Sequence, residues 1–170
     1  MGATRESENG KFIISSQDNI YSEYGKTYLG QIIPNFLGTK FELYDSGIDP
    51  AYISKESGLP KNFIPYRRKI AIIEYDSNFF AEKPRSFRIS ICDYEKNSFN
   101  INIAFENMAP KYNEARGCYT LNFFGRVNKA SARNFQMILS DCDDDDDMYL
   151  THGKVSKNDF NIDYRAPFNQ

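Results

Sequence analysis

The sequence predicts an all-β fold: an antiparallel barrel, closed or nearly so, with a sandwich as the alternative. Three observations carry that prediction. Several segments alternate apolar and polar residues with period two, the residue choice is aromatic and β-branched, and turn-forming residues interrupt the chain at short, regular intervals. Of 170 residues, 14 are Phe and 12 are Tyr, and none is Trp. Such side chains pack well on a pleated, half-buried surface and lose freedom in a helix.

The alternation is clearest from Ser98 to Phe105, where Phe99, Ile101, Ile103 and Phe105 are expected inward and Asn100 and Asn102 outward. Ser86 to Cys92 repeats it, with Phe87, Ile89 and Ile91 inward and Arg88 and Ser90 outward. Phe160, Ile162 and Tyr164 alternate in the same way with Asn161, Asp163 and Arg165. Further strands are expected at Phe12 to Ser15, Thr27 to Ile33, Thr39 to Tyr44, Lys69 to Tyr75, Tyr119 to Phe124, Asn134 to Leu139 and Met148 to Thr151, which makes ten. Pro34-Asn35, Gly38, Ser46-Gly47, Pro84, Pro110, Gly117, Gly125 and Gly153 punctuate them. Helical patterning is weak: Asp49 to Ser57 fits one short turn, and Ala130 to Leu139 reads equally as a bend into a strand.

This length fits one domain, placed at residues 11–170 behind a polar N-terminal tail at 1–10. No run approaches the roughly 20 apolar residues of a membrane helix, and the first ten residues lack an apolar signal core. The chain is therefore expected to be soluble and cytoplasmic. Cys92, Cys118 and Cys142 are too few and too irregular for a disulfide framework or a zinc site.

Charge is distributed unevenly around the formal total of −2. From Lys61 to Arg88 seven basic residues stand against three acidic ones, while six of the seven positions from Asp141 to Asp147 are aspartate. The aspartate run lacks the spacing and central glycine of a calcium loop and reads as a solvated connection. His152, in a Thr-His-Gly sequence expected to turn after a strand, is the sole histidine, so a nucleophile paired with a histidine base has little to draw on. Phosphate-binding, metalloprotease and nucleophile-elbow motifs are all missing. These observations point to a protein that binds rather than catalyses, with no cofactor.

Four stretches go further. They are Asn35-Phe36-Leu37-Gly38-Thr39-Lys40-Phe41 with Tyr44-Asp45; Glu74-Tyr75-Asp76-Ser77-Asn78; the block from Leu121 to Gln136, which reads LNFFGRVNKASARNFQ; and Gly153-Lys154-Val155 with Asp163-Tyr164-Arg165 and Pro167. In that order they resemble the C-terminal domain of the tubby and tubby-like proteins, over roughly Lys11 to Pro167. The resemblance implies an antiparallel β-barrel. It also implies an incomplete one, lacking the family's first strands and the central C-terminal helix, since the chain reads Asp163-Tyr164-Arg165-Ala166-Pro167-Phe168 and stops at Gln170.

Family members are phosphoinositide-binding adaptors at the plasma membrane. The resemblance thus implies phosphoinositide headgroups at the inner membrane surface as partners, while the −2 charge and the lack of a long basic stripe argue against nucleic acid. The family's principal lysine and arginine lie in a GKLRSN segment, which here reads Gly30-Gln31-Ile32-Ile33-Pro34-Asn35. Gln31 and Ile33 replace those two charges. A third basic ligand matches Arg67, followed by Arg68, and a polar ligand matches Lys11. Lys11, Gln31, Arg67 and Arg68 are accordingly the candidate headgroup residues. Each lost charge-assisted contact removes about 1.5–3 kcal/mol, so binding is expected to be weakened. The competing expectation is a degenerate tubby fold that serves protein interaction or structure alone.

Overall fold

The computed structural model describes residues 2–5, 10–18, 20–23, 25–50, 65–76, 86–92, 101–140 and 147–168, with side chains omitted at 2–5 and 101–102. Every named element among them is a β-strand, as expected of an all-β antiparallel fold. The strands fall into two compact units, Met1–Glu74 with Ser90–Asn102, and Tyr75–Ile89 with Ile103–Gln170.

The first unit contains β1 (Gly2–Arg5), β2 (Phe12–Ser15), β3 (Tyr28–Pro34), β4 (Lys40–Tyr44) and β5 (Lys69–Tyr75) up to Glu74. These lie in that order, each antiparallel to the next. The β6 strand (Phe87–Cys92) contributes its last three residues. A short turn through Asn35 and Gly38 joins β3 to β4, while longer connections lead from β2 to β3 and from β4 to β5. Cross-strand pairing sets Ile13 beside Gln31, Gln31 beside Tyr44, and Tyr44 beside Lys69 on one face. Among the described residues of this unit, Ile13, Tyr28, Ala71 and Cys92 are the buried apolar side chains, and Ser15, Gln31 and Ser90 are buried with them.

The second unit holds most of β7 (Ile101–Asn107), then β8 (Lys111–Asn113), β9 (Cys118–Thr120), β10 (Phe135–Leu139), β11 (Met148–Lys154) and β12 (Phe160–Tyr164). The order β7-β10-β11-β12 forms one antiparallel array, and β8-β9 is a separate hairpin. Phe105 and Met137 are fully buried. Tyr149 and Phe168 pack on Phe105 at ring distances of 5.0 and 4.8 Å. Among the described strands, β1 pairs only with β2 in the first unit and β12 only with β11 in the second.

Several expectations are corrected. Tyr119 to Phe124 is not one strand: β9 ends at Thr120, and Asn122 Oδ1 accepts the Phe124 N–H at 2.9 Å while the Arg126 N–H closes on the Phe123 carbonyl at 2.9 Å. Phe124 and Gly125 both have positive φ there, 49° and 80°, which turns the chain. Ser90 is buried at 2% exposure instead of facing out, because β6 is covered on the face that carries Ser90 and Cys92. Ile162 and Tyr164 are exposed, since β12 is an edge strand whose alternation marks two faces without saying which is covered. His152 lies within β11, not in a turn, and stacks between Phe135 and Phe160 at 5.2 and 4.8 Å. Gly2–Arg5, read as polar tail, pairs with β2. Most of Asp49 to Ser57, the start of the Ser98 strand, Asp141 to Asp146 with Cys142, and Lys61, Lys83 and Arg85 lie outside the described residues.

Candidate functional site

Arg67 follows Tyr66 just before β5, where chain 65–68 runs beside the loop after β4. The Arg67 N–H donates to the Ile48 carbonyl at 2.9 Å and the Ile48 N–H to the Pro65 carbonyl at 2.8 Å. Asp45 ties the far side, its Oδ1 accepting the N–H groups of Gly47 and Arg68 at 2.9 Å each. The Asp45 N–H returns to the Arg68 carbonyl at 3.0 Å. Gly47 permits this approach, because a Cβ there would stand 2.4 Å from the Tyr66 carbonyl oxygen and 2.5 Å from the Arg67 nitrogen.

So held, the Arg67 side chain is only 8% exposed. Nε donates to the Gly47 carbonyl at 3.2 Å, Nη1 to Asp49 Oδ2 at 3.4 Å and Nη2 to Glu23 Oε2 at 3.3 Å. The guanidinium carbon lies 5.5 Å from the Tyr28 ring centre. Glu23, 11% exposed, gives its other oxygen to the ammonium of Lys11. Two of the candidate residues thus converge on one carboxylate. Arg68 enters through its backbone bonds to Asp45.

Gln31 is buried at 4% exposure beside Ile13 and Tyr44. Its Oε1 and the Tyr28 hydroxyl have no hydrogen-bond partner among the described residues, which is costly for buried polar atoms. Burial raises the Tyr28 phenol, with Arg67 opposing. Next along the row, Lys69 Nζ and the Tyr44 hydroxyl both donate to Glu42, each at 2.7 Å. Burial alone would raise Glu42, but those two hydrogen bonds together with the charges of Lys69 and Lys40 outweigh it and hold the carboxyl below its usual range. Burial and the Glu42 partnership push the Tyr44 phenol up.

Glu23 and Asp49, which supply the negative side of this cluster, escape sequence reasoning. Glu23 sits in the Tyr21-Ser22-Glu23-Tyr24 stretch between β2 and β3, with no spacing that marks it. No cluster of metal-binding side chains occurs among the described residues. Nor is any described helix long and apolar enough to cross a membrane.

The described strands define the class, an antiparallel all-β protein in which a lysine and an arginine are gathered on one carboxylate. The chain belongs to the Tub family, whose model matches residues 2–104 and 90–170. Tubby-related protein 3 of Homo sapiens is 31% identical over 96% of this chain and 41% of its own length. Tubby-related protein 2 of Mus musculus is 30% identical over 96% of this chain and 32% of its own. Tubby-related protein 3 of Mus musculus is 28% identical, with 96% and 39% covered. The chain thus spans about two fifths or less of the length of these relatives.

Proposed function

We propose that this domain is a membrane-peripheral adaptor that binds phosphoinositide headgroups by equilibrium recognition, at the cytoplasmic face of the plasma membrane, without catalysis. The observation that carries the reading is the convergence of Lys11 and Arg67 on Glu23. A carboxylate bridging a guanidinium and an ammonium occupies the position that a phosphate oxygen pair would take, because both present two acceptor atoms to the same donors. The site is therefore an anion site closed by an internal anion. A phosphate must compete with Glu23 for it, so affinity is modest and rises with the charge of the headgroup.

Gln31 and Ile33 favour a second reading, a tubby fold retained for protein interaction or structure. Gln31 stands buried where the family places a lysine. Sedimentation with phosphatidylcholine vesicles, with and without phosphatidylinositol 4,5-bisphosphate, separates the two. Selective binding that Lys11→Ala weakens supports the adaptor. Equal, salt-sensitive binding to any anionic vesicle removes it.

A further inference from the structure

The chain between β3 and β4 turns through Asn35-Phe36-Leu37-Gly38-Thr39, and Asn35 holds the turn from inside. Its Oδ1 accepts the N–H groups of Thr39 and Lys40 at 2.9 and 3.1 Å, and its Nδ2 donates to Thr39 Oγ1 at 3.0 Å. The Gly38 N–H donates to the Asn35 carbonyl at 3.1 Å, and the Asn35 N–H to that of Lys40 at 2.8 Å. Gly38 supplies the left-handed conformation, φ 67°, that closes the turn. At the tip Phe36 is 102% exposed and Leu37 70%. Neither side chain is buried in the fold, yet the turn that presents them is tightly made.

We propose that the Phe36-Leu37 tip inserts into the interfacial layer of a lipid bilayer. This rests on the membrane-peripheral reading above and adds a second, apolar contact to it. Three features select a bilayer over a protein groove. Two adjacent large apolar side chains on a hairpin tip form a wedge, far smaller than the roughly 800 Å² per partner of a stable protein interface. The N–H groups of Gly38, Thr39 and Lys40 are already satisfied within the turn, which leaves only those of Phe36 and Leu37 to be met by the water and headgroups of the interfacial layer. Behind the tip stands Lys40, half-buried with its ammonium 3.4 Å from Glu74, a cation next to the apolar pair that a lipid phosphate could meet.

The chain has no tryptophan, so Phe36→Trp installs a single reporter. On phosphatidylcholine and phosphatidylserine vesicles containing phosphatidylinositol 4,5-bisphosphate, its emission shifts to the blue and is quenched by brominated acyl chains. The double variant Phe36→Ser, Leu37→Ser binds those vesicles roughly tenfold to a hundredfold more weakly. It keeps the thermal midpoint and the affinity for soluble inositol 1,4,5-trisphosphate. Vesicle-bound Phe36→Trp with the emission of a water-exposed indole overturns insertion, as does a double variant that sediments like the unaltered chain. A blue shift before vesicles are added also overturns it, since protein then covers the tip. Insertion that ignores the phosphoinositide leaves this proposal standing and removes the headgroup reading, whereas phosphoinositide-dependent sedimentation without a shift does the reverse. Absence of sedimentation on every vesicle overturns both.

Discussion

Glu23 places Oε2 3.3 Å from Nη2 of Arg67 while its second oxygen holds the Lys11 ammonium, so one carboxylate neutralises the two cations that would receive a headgroup. Glu23→Gln removes that competitor. Binding of inositol 1,4,5-trisphosphate is expected to tighten several-fold in calorimetry. Stability should fall by about 1–3 kcal/mol, because Arg67 and Lys11 then lack their shared counter-charge in a partly buried setting. Weaker ligand binding by a folded Glu23→Gln chain would show that Glu23 organises the site instead of closing it.

Acid should act through Glu42. Its folded pKa lies below the unfolded value of about 4.3, because Lys69 and Tyr44 stabilise the carboxylate. A depressed pKa contributes stability that is present above the unfolded value and disappears as pH falls through the folded one. Urea midpoints of the unaltered chain and Glu42→Gln are expected to differ at pH 7 by the equivalent of about 0.5–1 kcal/mol. The two curves should meet once the solution is acid enough to protonate Glu42 in the folded chain. A gap that persists unchanged into acid would assign the effect to packing.

Phe124 holds φ 49° and is 66% exposed, an unfavourable backbone for a bulky residue with little burial to offset it. Phe124→Asn keeps a side chain that tolerates the left-handed region. It should raise stability by about 1 kcal/mol, read as a thermal midpoint higher by a few degrees. A lower midpoint would mean that the aromatic ring contributes more than the strain costs.

The alternation and turn residues made most of the strands legible: β2 and β5 fall on their expected bounds, and β12 covers Phe160 to Tyr164. Where they failed was in assigning which face of a strand is covered. Ser90 turned out buried and Ile162 exposed because that depends on neighbours remote in sequence. The β8-β9 hairpin was missed for a different reason, as three-residue strands carry too little alternation to register. Of the candidate site, Arg67 and Lys11 were proposed from the family resemblance. Glu23 was not, since a single acid in a loop gains meaning only when folding sets it against Arg67 and Lys11.

Restoring the family's two charges should have unequal results. Ile33 is half-buried and directly opposite Glu42 on β4, so Ile33→Arg gains a cross-strand carboxylate beside its guanidinium and loses only part of an apolar contact. Gln31 is closed off, with an unpartnered Oε1, and a lysine there would bring an ammonium into a site shared with Ile13 and Tyr44. Ile33→Arg is therefore expected to fold with a midpoint within a few degrees of the unaltered chain and to bind phosphatidylinositol 4,5-bisphosphate vesicles about tenfold more tightly, one charge-assisted contact being worth roughly 1.5–3 kcal/mol. Gln31→Lys should cost about 1–3 kcal/mol of stability in the same melts. Ile33→Arg that folds and leaves vesicle affinity unchanged would place the headgroup elsewhere than the face bearing Gln31 and Ile33.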